Sequence, residues 1–128
     1  MQNFKVLIYV ESRYKINRKK VKSAIASVLE ENNITSPLEV SIAIVGDRKM
    51  RKLNKEYRDK EGTTNILSFP LSEGESSRLP SDVMRLGDIV ISYPEVIRES
   101  AKMNMLVDDR MEELVEHGLN HLLGLHHG

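Results

Sequence analysis

The sequence predicts a domain built from both strands and helices, in the order β-α-β-α-β-β-α-α, with a small sheet packed against the helices across residues 1–128. Three observations carry this expectation. Apolar residues alternate with period two over 4–10 and 38–45, the pattern of strands that bury one face. They recur at helical spacing over 17–33 and again from about 108 to 122. One long polar segment, 70–86, with Gly74, Pro70, Pro80 and four serines, reads as a loop of the length that is usually functional or disordered.

Each element follows from its residues. "FKVLIYV" (4–10) sets Phe4, Val6, Ile8 and Val10 on one side of a strand. "NRKKVKSAIASVLEENN" (17–33) places Val21, Ala24, Ile25, Val28 and Leu29 on one helical face, with Asn17 as N-cap. "LEVSIAIV" (38–45) returns to the strand period, and the crossover between these strands predicts parallel pairing of right-handed sense. "GDRKMRKLNKEYR" (46–58) offers Asp47 as N-cap and a stripe of Met50, Leu53 and Tyr57. "NILSF" (65–69) and "GDIVIS" (87–92) are short strands. Pro94 suits the first turn of a helix reaching about 103. The last helix starts near Asp108, with Met111, Leu114, Val115, Leu119 and Leu122 on its apolar side.

Composition narrows the chemistry. The chain has 128 residues and no cysteine, so disulfides and thiolate metal sites are excluded, and a metal would need His, Asp or Glu. The opening "MQNFKVLIYVES" is too short an apolar run for a signal peptide or membrane span, so a cytoplasmic protein with no membrane partner is expected. The formal net charge is zero, yet residues 1–60 carry 14 Lys/Arg against 7 Asp/Glu and residues 61–128 carry 5 against 12. A basic half beside an acidic half suits a polyanion-binding surface, although solvated helix faces give the same counts.

All four histidines, His117, His121, His126 and His127, fall in "EHGLNHLLGLHHG" (116–128). Residues 117 and 121 are four apart on a predicted helix, a rise of about 6 Å and a turn of roughly 40°, so both rings project from one face. Gly124 can end the helix in a left-handed turn, after which the chain can double back. It would then deliver a third imidazole, favoured as His127 over His126. The pattern H-x3-H-x5-H gives three neutral nitrogens and room for a fourth ligand, the coordination of a catalytic zinc site. Metzincin proteases share this overall spacing, but their general base follows the first histidine, and here that position is Gly118.

Three segments in order, "LNKEYRDKEGTTNILSFP" (53–70), "LGDIVIS" (86–92) and the histidine stretch, resemble the signatures of the YbeY family of bacterial rRNA maturation factors, described as metal-dependent endoribonucleases. The match spans most of residues 40–127. It departs from the family pattern at Asn120, where leucine is usual, and at Leu125-His126, where Tyr-Asp is usual. The resemblance implies an α+β fold of the zincin-like kind, a mixed sheet of about four strands, and a metal site on the C-terminal helix and following turn. It implies one Zn²⁺ per chain on His117, His121 and His127, and a functional Arg58 in a cleft lined by Ser68 and Phe69. It further implies RNA as substrate, in maturation of the 3′ end of small-subunit rRNA and in ribosome quality control. Ribosomal proteins and an assembly GTPase are candidate further partners.

The planar fork of Arg58 would grip a phosphodiester bidentately, and the basic run Arg48–Lys60 leads into it. Asn65 and Ser68 fit substrate contact and backbone satisfaction at a strand end equally well. Asp88 reads as a turn or structural acceptor. No general base stands out; Asp59 and Glu61 are near in sequence, but nothing in the pattern supports either in that role. Phe4 and Phe69 read as packing residues, so no aromatic stacking platform is expected. Two other functions fit the residues: an assembly factor binding rRNA or protein with a vestigial metal site, and a metal-dependent hydrolase of a small molecule.

Overall fold

The computed structural model describes residues 3–11, 13–71 and 83–124. Strand β1 (Phe4–Val10) leads to helix α1 (Arg18–Glu31), strand β2 (Leu38–Val45) and helix α2 (Asp47–Arg58). Strands β3 (Ile66–Pro70) and β4 (Met84–Ser92) follow, then helices α3 (Tyr93–Met103) and α4 (Val107–Leu122). The predicted element order is the observed one. The strands form one mixed sheet in the order β1-β2-β4-β3. As expected, β1 runs parallel to β2, from Phe4 opposite Leu38 to Val10 opposite Ile44. Strand β2 is also parallel to β4, whereas β3 is antiparallel to β4 and forms the far edge.

The alternation read from sequence decides which side of the sheet is wet. On β1, Phe4, Val6, Ile8 and Val10 pack against the main core, while Leu7 and Tyr9 face outward. That core joins Val21, Ile25 and Leu29 of α1, Val40, Ile42 and Ile44 of β2, Ile89 and Ile91 of β4, and Met111, Val115 and Leu119 of α4. A smaller core on the opposite face holds Val45, Met50, Leu67 and Val90, with Leu53 and Phe69 beside them. The sheet thus lies between α1, α3 and α4 on one side and α2 on the other. No helix among the described residues is long and apolar enough to cross a membrane.

Three local expectations are corrected. Asp47 is not the N-cap of α2. Gly46 is, and Asp47 is the first helical residue. Its carboxylate accepts from Arg98 Nη2 at 2.9 Å, Ser92 Oγ at 3.2 Å and Thr63 Oγ1 at 3.4 Å, so it ties the starts of α2 and α3 to the segment before β3. Burial alone would raise its pKa, but the hydrogen bond and charge of Arg98, with help from Ser92, hold it below the usual carboxylate range. The apolar stripe of α2 is also shifted: Asn54 is buried at 3% exposure and Tyr57 is 60% exposed.

Third, β4 starts at Met84 and β3 runs on to Pro70, so the loop is shorter than 70–86. Residues 72–82 lie outside the described residues. The ladder slips between Glu39 and Val40, whose partners are Arg85 and Gly87, so Leu86 is the extra residue of a bulge. Gly87 follows with φ +137°, and a Cβ there would lie 2.2 Å from the carbonyl oxygen of Phe69. Only glycine lets β3 approach β4 this closely.

Candidate functional site

Helix α2 ends in a left-handed residue, Asp59 (φ 53°), whose N–H donates to the carbonyl of Lys55. The chain then turns toward β3. Buried Asn54 anchors that turn by donating from Nδ2 to the carbonyl of Gly62 at 3.2 Å, and its Oδ1 has no partner among the described residues. The last turn of α2 therefore ends beside the first residues of β3, bringing Arg58 to the free side of that strand.

Helix α4 reaches the same strand from the other face of the sheet. It can do so because of Gly118, which is buried against the strands. A Cβ at this position would sit 3.0 Å from both Ile66 Cδ1 and Ile89 Cγ2. The residue after the first helical histidine thus points into the sheet, and in this register a glutamate there would face hydrocarbon rather than a reacting group. Gly118→Leu is expected to overpack this contact and destabilise the protein by about 1–3 kcal/mol, read as a lowered denaturant midpoint. An unchanged midpoint would mean that α4 can lift from β3 at no cost.

Between these two supports lies a cleft of about 570 Å³, lined by Tyr57, Arg58, Thr64, Asn65, Ile66, Leu67, Ser68, Phe69, His117 and His121. The structure brings together Arg58, Asn65, Ser68, His117 and His121 although 63 positions separate the first from the last. The histidine rings are solvent-exposed, as is Arg58. Helix α4 ends at Leu122, and Gly124 takes φ +76° with its N–H donating to the carbonyl of His121 at 3.0 Å, so the expected glycine stop is present. His127 and His126 lie outside the described residues. Among the described residues no three His, Asp or Glu side chains are grouped as a metal site. Two imidazoles four residues apart on one helix, both facing one cleft, are a donor set that suits zinc.

Asn65 lines the cleft but is also engaged structurally. Its Nδ2 donates to Glu99 Oε1 at 3.4 Å, and its carbonyl accepts from the Ser92 N–H at 2.9 Å. Glu99 is held in turn by Arg110 at 2.9 Å. The acids considered as general base are elsewhere: Asp59 and Glu61 both pair with Lys55, at 3.3 and 3.0 Å, and are largely exposed. Asp88 sits within β4 rather than in a turn, on the α2 face, where it lines a separate cavity of about 370 Å³ with Ser41, Leu53 and Tyr57. Glu116 precedes His117 but does not line the cleft. Its carboxyl is pushed above the usual range by burial first, then by the charges of Glu112, Glu31 and Glu113.

Sequence reasoning missed Tyr57. Helical spacing puts it on the apolar stripe, yet its ring lines the cleft, edge-on to Phe69 at 5.1 Å between centroids. The signal was its place directly before Arg58 at the end of a strongly basic helix, where the apolar stripe has already run out.

A family model described as Endoribonuclease YbeY matches residues 8–128. An endoribonuclease YbeY of Magnetococcus marinus is 38% identical over 97 residues, covering 72% of this chain and 66% of that one. The corresponding protein of Syntrophus aciditrophicus is 42% identical over 89 residues, covering 70% and 54%. That of Francisella philomiragia is 39% identical over 114 residues, covering 87% and 70%. The chain therefore spans between about half and two thirds of the first two relatives. The solution structure of TM1509 from Thermotoga maritima has a similar fold, with a TM-score of 0.62 at 22% identity over 96% of this chain and 75% of that one.

Proposed function

Since the chain belongs to the YbeY endoribonuclease family, we propose that it is a zinc-dependent endoribonuclease that works in the cytoplasm on small-subunit rRNA, in 3′-end maturation and ribosome quality control. The observation that carries this reading is the meeting of Arg58 with His117 and His121 in one cleft. A guanidinium beside a pair of metal-type imidazoles suits a phosphodiester, which needs both its negative charge held and its leaving oxygen stabilised.

His117 and His121 would hold the ion together with His127. When bound, zinc supplies Lewis-acid stabilisation of a phosphoryl oxygen and acidifies a water molecule. The chain's own residues would do the rest. The fork of Arg58 grips the non-bridging oxygens and keeps the phosphodiester in one orientation. Arg48, Lys49, Arg51, Lys52 and Lys55 leave the exposed face of α2 strongly basic, a track along which flanking phosphates are held. Ser68, and Asn65 through the side of its amide not spent on Glu99, would position the substrate along β3. The α4 core residues Met111, Leu114, Val115 and Leu119 make a rigid base for the histidines, since the helix that carries them cannot rotate without opening the main core.

Turnover of a defined small-subunit rRNA fragment, measured with zinc present and after chelation, tests the reading. Cleavage that is lost with chelator and restored by zinc supports it. RNA binding without cleavage under every metal condition would replace it with the assembly-factor function.

A further inference from the structure

The open edge of β3 has a property that its side chains do not reveal. Two backbone hydrogen bonds fix which groups face β4: the Ser92 N–H donates to the Asn65 carbonyl at 2.9 Å, and the Leu71 N–H donates to the Leu86 carbonyl at 3.2 Å. With Leu67 opposite Val90 and Phe69 opposite Asp88, the residues bonded to β4 are 65, 67, 69 and 71. Ile66, Ser68 and Pro70 then turn their backbone groups away from the sheet. Pro70 has no N–H, so only Ile66 and Ser68 offer both a donor and an acceptor there. No strand pairs with this edge among the described residues.

That edge is the floor of the cleft. The side chain of Ile66 lies against α4, next to Gly118, and that of Phe69 lies against Tyr57 of α2. Residues of both kinds line the cleft, with Arg58 on one wall and His117 on the other. A β-edge is a poor anion site, because each outward N–H has the carbonyl of its own residue beside it. It suits a neutral group with adjacent donor and acceptor, as every nucleobase has on its pairing edge. Tyr57 stands beside Phe69, the neighbour of Ser68, with 60% of its surface exposed. An exposed ring next to such an edge can stack a base, and Arg58, one residue on, can hold the phosphate attached to it.

We infer that Tyr57 and the outward backbone N–H and C=O of Ser68 form a nucleobase subsite. The Tyr57 ring stacks on the base and the Ser68 backbone pairs with the base edge. The inference rests on the RNA reading above and deepens it. The subsite places one nucleotide of the substrate by its base, independently of the metal.

The test is binding of a short oligoribonucleotide, together with versions that lack one nucleobase at each position in turn. At one position, removing the base should weaken wild-type binding roughly ten- to a hundred-fold, the range for loss of one stacked base. Tyr57→Ala should bind the intact RNA more weakly than wild type, and should lose less than wild type does when that base is removed, since only the Ser68 pairing is left to lose. Tyr57→Phe should behave as wild type, since the ring face is kept. In the bound protein the Ser68 amide should exchange its hydrogen more slowly than in the free protein, while Leu67 and Phe69, already bonded to β4, change little. Wild-type sensitivity to base removal in Tyr57→Ala, or a Ser68 amide that stays fast with RNA bound, overturns the subsite and leaves RNA as the substrate. Slow exchange at Ser68 with an extended peptide instead of RNA assigns the edge to peptide and overturns it as well. Absence of any RNA binding by the wild type refutes the RNA reading itself, and the subsite with it.

Discussion

His121→Ala is expected to cost the protein most of its zinc while leaving its fold intact. One of three proposed ligands goes, and the loss in affinity should exceed the roughly 10–100-fold seen when only a supporting partner of a ligand is removed. Cleavage of RNA should fall with the metal content. The fold should persist because His121 is exposed, whereas α4 is held by Met111, Leu114, Val115 and Leu119 on its other side. Metal analysis of the purified protein, prepared without a histidine tag, gives the answer, and full zinc retention would remove the assignment. The same assay on two further variants resolves the third ligand. His127→Ala should lose metal and His126→Ala should keep most of it. The reverse would put the turn after Gly124 in another register, one residue out of step with the family pattern.

Arg58→Ala should have the second large effect, and on a different quantity. The guanidinium is exposed in the cleft and takes no part in either core, so zinc content and melting temperature should hardly move. RNA cleavage should drop by about 100- to 1000-fold, the range for removing one charge-stabilising donor from a transition state. Arg58→Lys should recover little, because an ammonium keeps the charge but not the planar fork. Raising the salt concentration should weaken wild-type RNA binding, through the phosphates held along α2. Wild-type cleavage by Arg58→Ala would take the phosphate-gripping role from this residue.

The two variants separate because the cleft is assembled from two independent supports. Arg58 is placed by the end of α2 and by Asn54, whose amide holds the Gly62 carbonyl. The histidines are placed by α4 lying on β3 and β4 at Gly118. Neither side chain is part of the support that positions the other, so their effects on metal content and on cleavage should be separable.

Much of this was legible in the order of the residues. Period two over 4–10 and 38–45 identified strands whose alternate residues face the core, half-buried on β1 and buried on β2, and the helical period over 17–33 named all five buried residues of α1. Asn17 and Gly124 marked a helix start and a helix stop, because capping is chemistry of a few adjacent residues. The spacing of His117 and His121 put two imidazoles on one helical face for the same local reason. Asp47 departs from its local pattern, since Gly46 and not Asp47 is the N-cap of α2. Its carboxylate finds Arg98 and Ser92, partners 51 and 45 positions away, and these outcompete the backbone N–H groups it would otherwise cap.

What sequence alone determined, then, is the type and order of the elements, the core-facing sides of β1, α1 and β2, and the family signatures carried by Arg58 and the histidines. Tertiary structure decided which elements meet. The order β1-β2-β4-β3 makes β3 an edge, the bulge at Leu86 and the bare Cα of Gly87 press it against β4, and only then do α2 and α4 arrive at its two sides. The outward-facing backbone of Ser68 and the exposed ring of Tyr57 belong to this second level. Periodicity records which residues are apolar, but whether a strand has a neighbour on each side depends on pairings between residues far apart in the chain, and no local pattern records those.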